Sequence, residues 1–274
     1  MIPEFITYLQ AIKGYSPNTA RAYHNDLISF VSWAKEHKED ARWSRIDRSD
    51  IDAFIIYQEA KGLKPATTNR QIAAISTFYN YLMRENLIKE NPCKYESRRK
   101  IGTSIPKTIP VADIKEAYDH AQGFVKTMLG VISSTGIRIQ EFLDIEAEDI
   151  NTKENTLTIR GKGNKERKVY LSSTSLELLN SAMQGEEPHG RLFNIDQRHA
   201  RFLLWEALQQ YTTARQLSPH ALRHTLATYM AKQGVNVTTI GQILGHKDIK
   251  TTQKYIDLAE METRQACLHH SIIN

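Results

Sequence analysis

The sequence predicts a mainly α-helical fold with one small β-sheet or hairpin, divided into a helical N-terminal part and an α+β C-terminal part. Apolar residues recur at helical spacing along most of the chain, whereas strict alternation occurs only around residues 157–171. A stretch with several basic residues, two prolines and a glycine separates the two parts. Because 274 residues are enough for two modest domains, we predict a helical domain at 1–92, a basic linker at 93–110 and a second domain at 111–274.

The N-terminal domain is predicted to contain four helices, at about 3–12, from Pro17, at 48–61 and after Pro65. Ser16 precedes Pro17, so its hydroxyl can cap the second helix, and proline fits a first helical turn. The second and fourth helices carry the apolar stripes Tyr23, Leu27, Phe30, Val31, Ala34, Ile72, Ile75, Tyr79 and Leu82. Pro92 ends the domain, because the residue before a proline resists helical geometry.

The C-terminal domain is predicted to be helical around one hairpin. Leu157 and Ile159 alternate with polar residues, the segment Gly161-Lys162-Gly163-Asn164-Lys165 turns the chain, and Val169 and Leu171 alternate again. Helices are predicted at 111–134, shortly after Gly136, at 174–183, at 197–213, from Ser218-Pro219 to Gly234, at 238–244 and at 251–258, and the tail 259–274 can form a last helix.

The composition narrows the classes of function. The formal net charge of +5 favours a polyanionic partner. No apolar run approaches the roughly 20 residues of a membrane span, and the N-terminus does not read as a signal peptide. The two cysteines are far apart and show no metal-binding spacing, so we expect reduced thiols in a cytoplasmic protein. No phosphate-binding GxxxxGK[ST] motif occurs, and we interpret the acidic cluster after Arg138 as capping and solvated residues: Asp144, Glu146, Glu148 and Asp149.

The segment SPHALRHT carries a candidate anion site. His220 and Arg223 are three residues apart near a helix N-terminus, where they share a face and where the helix dipole also favours an anion. An isolated pair of this kind also fits an ordinary cationic surface. His224 lies about 100° further round the helix, and we expect it to be structural, hydrogen-bonded beneath the site.

Three other segments carry candidate residues that are each ambiguous alone. Arg138 follows Gly136 and precedes Glu141 by three, so the two side chains can form an ion pair. The hairpin turn is basic and can be either a solvated turn or a finger that enters a groove; its cations are Lys162, Lys165, Arg167 and Lys168. Tyr255 follows Leu244-Gly245-His246 on the next helix and is one tyrosine of 12.

Together, these segments resemble the tyrosine recombinase (phage integrase) family, and its Xer-type branch in particular. The resemblance rests on TGIR with Arg138, GKGNKER with Lys162, HALRHT with His220 and Arg223, LGHK with His246, and Tyr255. It covers nearly the whole chain, because SPNTARAY and ATTNRQIAAISTFYNYL look like the family's core-binding domain. The resemblance therefore implies a helical, SAM-like core-binding domain followed by an α+β tyrosine-recombinase catalytic domain with a C-terminal tail.

The resemblance implies a reaction in which Tyr255 attacks a DNA phosphate, forms a 3′-phosphotyrosyl link and releases a 5′-hydroxyl. Arg138 and Arg223 would meet the negative charge of the transition state. His220 and His246 would add hydrogen bonds, and His220 could take the tyrosine proton. Lys162, or Lys165 if the turn register differs, would protonate the leaving oxygen. No metal, nucleotide or other cofactor is expected, and Glu141 would orient Arg138.

Duplex DNA with paired target sites is the expected partner, and no membrane contact is expected. The family implies a homotetramer, or a heterotetramer with a paralogue, and we hypothesise that the tail docks on a neighbouring protomer in a nucleoid-associated complex. Candidate DNA contacts are Lys13, Asn18, Arg21, Lys64, Thr67, Asn69, Arg70, Arg98, Arg99 and Lys165. Dimer resolution and mobile-element integration or excision both stay open. The alternatives are a type IB topoisomerase-like activity, a non-catalytic DNA-binding protein and a metal-dependent nuclease.

Overall fold

The computed structural model describes residues 1–94, 106–161, 165–183, 190–246, 248 and 250–269, with side chains for all of these except Lys165, Lys250 and 261–269. The chain forms two compact units, Met1–Gly102 and Thr103–Asn274. Most of the predicted basic linker 93–110 lies outside the described residues, so the DNA contact expected of it stays a prediction. Among the helices described, none is both long enough and apolar enough to cross a membrane.

The N-terminal unit contains four helices: α1 Ile2–Ala11, α2 Pro17–His37, α3 Arg48–Ala60 and α4 Pro65–Arg84. The Ser16 hydroxyl accepts a hydrogen bond from the backbone nitrogen of Thr19 at 3.3 Å and so caps α2, as the sequence predicted. Most residues of the predicted apolar stripes lie in one core, in which Phe30 and Tyr79 are buried and against which the half-buried Tyr23 packs. Val31 is also half-buried.

The second unit contains eight helices in its described residues: α5 Val111–His120, α6 Gly123–Thr135, α7 Ile139–Leu143, α8 Ser173–Met183, α9 Gln197–Gln209, α10 Pro219–Lys232, α11 Val237–Leu244 and α12 Lys250–His269. Its described strands form one antiparallel sheet in the order β1 Ile150–Asn151, β2 Thr156–Gly161 and β3 Lys165–Tyr170. The predicted fold class, mainly helical with a small sheet, is therefore confirmed.

The β2–β3 hairpin has the register that alternation predicts. Leu157 pairs with Val169 and Ile159 pairs with Arg167. Leu157, Ile159 and Val169 are buried in the main core of the unit, which fixes one face of the hairpin inward because side chains alternate along a strand. Arg167 therefore occupies a core-facing position, although it is charged.

Three predicted helix bounds are wrong. The helix predicted at 111–134 is two helices, because Gln122 is extended and Gly123 has a φ of +51°. The helix predicted at 197–213 ends at Gln209. The segment predicted at 251–258 and the tail form one helix, α12, which continues to His269. Strand β1 is a short addition that the sequence pattern did not indicate.

A small second core in this unit positions the candidate nucleophile. It lies where α10, α11 and α12 meet and contains Ala227, Ile240, Leu244 and Tyr255. Ser218 caps α10 by accepting a hydrogen bond from the backbone nitrogen of Ala221 at 3.2 Å. This cap sets the start of α10, the helix that carries His220, Arg223 and His224 and packs on α12.

Candidate active site

Tyr255 is buried on the side of α12 that packs on α10. Its side chain is 1 % exposed, and its phenol oxygen lies 2.7 Å from Nδ1 of His224. The His246 ring lies nearly parallel to the Tyr255 ring, with centroids 6.3 Å apart. The candidate nucleophile is therefore held between two histidines from two different elements.

The contact between His224 and Tyr255 is a finding that changes one sequence interpretation. We expected His224 to be structural and hydrogen-bonded beneath the site, and the family resemblance implied that His220 could help to take the tyrosine proton. The structure instead gives the hydrogen bond to His224, whereas the ring of His220 lies 6.4 Å from the ring of His224. Sequence spacing along α10 correctly placed His220 near Arg223, but it could not show which helix would cover the face of His224.

The resting protonation states leave the proton on Tyr255 and leave His224 neutral. Burial, followed by the positive charge of Lys254, lowers the pKa of His224 to about 4. Burial raises the pKa of Tyr255, and the nearby Arg223 charge acts in the opposite direction. At neutral pH the phenol is therefore protonated and the imidazole is neutral, so Nδ1 can accept a hydrogen bond from the phenol. The proton can move to Nδ1 only as the phenol oxygen attacks and becomes more acidic.

Arg223 is buried beside Tyr255 and is 3 % exposed. Its guanidinium donates to the carbonyl oxygen of Gly136 and, at 2.5 Å, to that of Leu244. Burial and the charge of Arg138 lower its pKa to about 10, so it stays charged at neutral pH. Arg223 thus joins the segment before Arg138 to the segment before His246.

Gly136 is required by this packing. Its φ of +65° is a left-handed conformation that favours glycine, and a Cβ there would lie 2.6 Å from Cδ2 of Leu244. The glycine of the STGIR segment therefore permits the close approach that Arg223 then fixes by its two hydrogen bonds.

Arg138 lies at the open side of the site, with its side chain 43 % exposed. Its Nη1 donates to Oε1 of Glu141 at 2.8 Å, and its backbone nitrogen donates to Oε2 at 2.8 Å. The predicted pair of Arg138 and Glu141 is therefore present. Burial alone would raise the pKa of Glu141, but hydrogen bonds from Arg167 and Arg138 outweigh it and hold the pKa at about 2.

His246 is oriented by a hydrogen bond to α12. Its Nδ1 lies 2.8 Å from the hydroxyl of Thr252, which is completely buried. Burial, followed by the charge of Arg223, lowers the pKa of His246 to about 4. His246 borders a cavity of about 880 Å³ that is also lined by Arg138, Glu141 and Arg167.

Lys254 is a cation near the site that the sequence analysis did not single out. Its ammonium lies 5.1 Å from the centre of the Tyr255 ring. Burial and then the charge of Arg223 lower its pKa. Helical spacing gave no signal for it, because adjacent residues on a helix point about 100° apart.

The structure brings together Arg138, His220, Arg223, His246 and Tyr255 within the second unit. Lys162 lies outside the described residues, as do Arg98 and Arg99, and the side chain of Lys165 is not described. The roles predicted for these four residues stay predictions. No group of three or more His, Cys, Asp or Glu that could hold a metal is found among the residues described.

The N-terminal DNA candidates lie along the pair formed by α2 and α4. Asp26 contacts Arg70, with Oδ2 and Nη1 3.1 Å apart, and Tyr23 lies next to Thr77, so the two helices run antiparallel. The exposed candidates are Lys13, Asn18, Arg21, Lys64 and Arg70, whereas Thr67 and Asn69 are half-buried. The predicted contacts are thus spread along the helix pair, and Arg70 is already engaged by a buried carboxylate.

Comparison with known proteins is consistent with this arrangement. Residues 107–262 match the model of the phage integrase family, and residues 2–86 match that of the phage integrase N-terminal SAM-like domain. The chain is 31 % identical to tyrosine recombinase XerC of Herpetosiphon aurantiacus over 93 % of this chain and 89 % of that protein. It is 26 % identical to tyrosine recombinase XerD of Listeria monocytogenes over 96 % of both chains.

Solved structures show the same fold. The XerH site-specific recombinase, in its post-cleavage complex with palindromic difH substrate, aligns with a TM-score of 0.78 at 18 % identity, over 97 % of this chain and 83 % of that chain. A lambda integrase dimer bound to a COC′ core site aligns with a TM-score of 0.72 at 17 % identity, over 94 % of both chains. From its family matches and its whole-length relatives, the chain belongs to the phage integrase family of tyrosine recombinases.

Proposed function

We propose that this chain is a site-specific recombinase that cleaves and rejoins duplex DNA through a covalent link to Tyr255. The observation that carries the proposal is the hydrogen bond of 2.7 Å between the Tyr255 phenol and a neutral His224, next to the buried charge of Arg223. A phenol that is hydrogen-bonded to an imidazole can pass its proton to that imidazole while its oxygen attacks a phosphorus atom.

In the first step, the Tyr255 oxygen attacks the scissile phosphorus. A bond between that oxygen and phosphorus forms, the bond between phosphorus and the 5′ oxygen breaks, and the phenol proton passes to His224. The leaving 5′ oxygen takes a proton from Lys162, or from Lys165. In the second step, the 5′-hydroxyl of another strand attacks the phosphotyrosine, and each proton transfer runs in reverse.

Positive charge at the phosphate lowers the barrier to this step. Negative charge grows on the non-bridging oxygens in the transition state, and fixed donors that face those oxygens stabilise it. Arg138 offers an exposed guanidinium edge, while Arg223 uses two N–H groups on carbonyls and keeps others for the phosphate. His220 and His246 supply further hydrogen bonds. The two guanidinium groups supply the positive charge that a metal ion supplies in other phosphoryl-transfer sites.

The protein would act in an assembly on paired DNA sites. XerH and lambda integrase were each solved on DNA, which supports duplex DNA as the partner of this chain. We propose a tetramer, either of this chain or with a paralogue, in which the tail beyond 260 packs on a neighbouring protomer. The whole-length similarity to Xer proteins favours Xer-type use over integration of a mobile element.

Covalent trapping tests the central claim. The protein is incubated with lightly nicked fragments of genomic DNA from its source, denatured, and the DNA that stays attached is sequenced. A nick beside the cleavage point lets the short 5′-hydroxyl strand diffuse away, so the adduct accumulates. We expect adducts at a defined site with the wild type, with or without EDTA, and none with Tyr255→Phe.

The Tyr255→Phe variant is a close control, because it removes only the hydroxyl from a buried ring. Adducts that persist in this variant would exclude Tyr255 as the nucleophile. Cleavage that stops in EDTA would point instead to a metal-dependent nuclease. Plasmid relaxation without any site preference would favour the topoisomerase-like alternative.

A further inference from the structure

Arg167 stands at a position where the strand pattern calls for an apolar residue. It pairs with Ile159 in the β2–β3 register and lies two residues before the buried Val169. Its guanidinium makes a two-pronged contact with Glu141, with Nη1 2.9 Å from Oε1 and Nη2 2.8 Å from Oε2. Such forked pairs are stronger than neutral hydrogen bonds and hold a fixed geometry.

Glu141 connects the hairpin to Arg138, the arginine proposed to bind the phosphate. The same carboxylate also accepts hydrogen bonds from the side chain and backbone of Arg138, each at 2.8 Å. Its side chain is only 9 % exposed, and its low pKa keeps it ionised. Strand β3 and the start of α7 are therefore joined through one carboxylate.

The guanidinium of Arg167 also lies against the backbone that leads to His246. A Cβ on Gly245 would come within 2.7 Å of Nε of Arg167 and 3.0 Å of its Cζ, and Gly245 has a φ of +64°. Nε of Arg167 is buried without a hydrogen-bond partner. Arg167 thus fills the space between β3, α7 and the segment after α11.

The lysine-bearing turn is close to this contact along the chain. Lys165 lies two residues before Arg167, and Lys162 lies five residues before it. Gly161 and Glu166, which flank the turn, line the same cavity as Arg138 and His246. Strand β3 begins at Lys165, so the contact of Arg167 with Glu141 holds the first residues of the strand that follows the turn.

We propose that Arg167 is a positioning residue, which docks the β2–β3 hairpin on Glu141 so that a turn lysine reaches the leaving 5′ oxygen. The inference rests on the proposed function, because it presupposes cleavage by Tyr255 and protonation of that oxygen. Arg167 acts through the hairpin and does not itself touch the reacting atoms.

Two DNA substrates separate this role from a general structural one. Both are nicked duplexes of the site found by covalent trapping. One has the ordinary phosphodiester, and the other has sulfur in place of the leaving 5′ oxygen. A thiolate leaves without a proton, because its conjugate acid is far stronger than an alcohol, so the sulfur substrate does not need the lysine.

We expect Arg167→Ala to cleave the oxygen substrate about 100-fold more slowly than the wild type, which is the size of effect expected when general acid catalysis is lost. On the sulfur substrate, its cleavage rate should stay within about threefold of the wild-type rate. Arg167→Lys keeps the charge but cannot form the fork, so it should show the same difference between substrates. This second variant keeps the test valid if Arg167→Ala does not fold, which circular dichroism would reveal.

The neighbouring residue provides a matched control. Lys168 lies on the same strand and pairs with Glu154 at 3.0 Å, with both side chains exposed. Lys168→Ala should leave the ratio of the cleavage rates on the two substrates at its wild-type value. Arg138→Ala, which removes a phosphate donor, should be slow on both.

Equal slowing of both substrates by the Arg167 variants would overturn the proposal, because it would place their effect on the phosphate site. Normal cleavage of both substrates would overturn it as well. Failure of the proposed function is a separate outcome: the wild type would then form no adduct on either substrate, or Tyr255→Phe would form one.

Discussion

Arg223 and Arg138 are the same residue type in one candidate site, yet their surroundings differ. Arg223 is 3 % exposed and holds the carbonyls of Gly136 and Leu244. Arg138 has a side chain that is 43 % exposed and shares Glu141 with Arg167. One arginine forms the floor of the site, and the other forms its open edge.

The difference shows that the family motif combines two physical tasks. A buried guanidinium must keep its backbone partners, so Arg223 both supplies charge and holds two chain segments together. An exposed guanidinium adds little to folding, so Arg138 can be oriented toward a ligand at low cost in stability. A motif marks both residues, but only the structure shows that Arg223 is buried and Arg138 is exposed.

The largest expected effect comes from replacing each arginine by alanine. Both changes should slow adduct formation by about 100- to 1,000-fold, because each removes a donor to the transition state. Arg223→Ala should also lower the free energy of unfolding by about 2–4 kcal/mol, since two buried carbonyls lose charged donors.

Arg138→Ala should change the free energy of unfolding by less than about 0.5 kcal/mol, because Glu141 keeps its fork to Arg167. Urea unfolding, followed by circular dichroism, measures both variants beside the cleavage assay. If Arg138→Ala destabilised the protein as much as Arg223→Ala, the division into floor and edge would be wrong.

The next effect separates the two histidines of α10. Without His224, the phenol must lose its proton to solvent before it attacks. The cleavage rate of the His224→Ala variant should therefore rise about tenfold per pH unit between pH 7 and 9. His220→Ala should lower the cleavage rate without adding this slope, because the role proposed for His220 is a hydrogen bond to the phosphate.

Single-turnover cleavage of the nicked duplex across this pH range provides the profiles. The raised pKa of Tyr255 keeps the phenol protonated throughout it. The reverse pattern, with the slope in His220→Ala alone, would restore the interpretation that the sequence first suggested for His220.

Much of the fold followed from local signals in the sequence. Ser16-Pro17 and Ser218-Pro219 mark helix starts that the structure has at those residues, and the apolar stripes of α2 and α4 face the core. The break between α5 and α6 was missed, although Gly123 marks it. Helical periodicity on either side was strong enough to hide a two-residue interruption.

The candidate site was predictable as a set of residues, but not as a set of contacts. Spacing along α10 says that His220 and Arg223 share a face, but the partner of His224 lies 31 residues away on α12. Arg167 did carry a signal: a charged residue in phase with Val169 and Leu171 predicts a buried partner. That partner, Glu141, belongs to another element and is not visible in the hairpin.

The smallest expected effect concerns the cation beside the nucleophile. In the free protein, His224 and His246 should titrate near a pKa of about 4. Burial is the main cause for both, and Lys254 is the second cause for His224 but a minor one for His246. Lys254→Met should therefore raise the pKa of His224 more than that of His246, while Lys232→Met, at the end of α10, should leave both unchanged.

The same shifts give the sign of a pH effect on stability. Because the folded pKa of His224 lies below the unfolded value of 6.5, the unfolded chain binds its proton first. Its contribution to stability is present above pH 6.5 and is lost as the pH falls toward about 4. Lys254→Met should raise the folded pKa of His224 toward 6.5. The pH range over which this stability is lost should therefore become narrower at its acidic end. NMR titration of the histidine rings in Lys254→Met measures both pKa values. A larger rise in the pKa of His246 than in that of His224 would show that Lys254 acts mainly on His246, which would contradict this prediction.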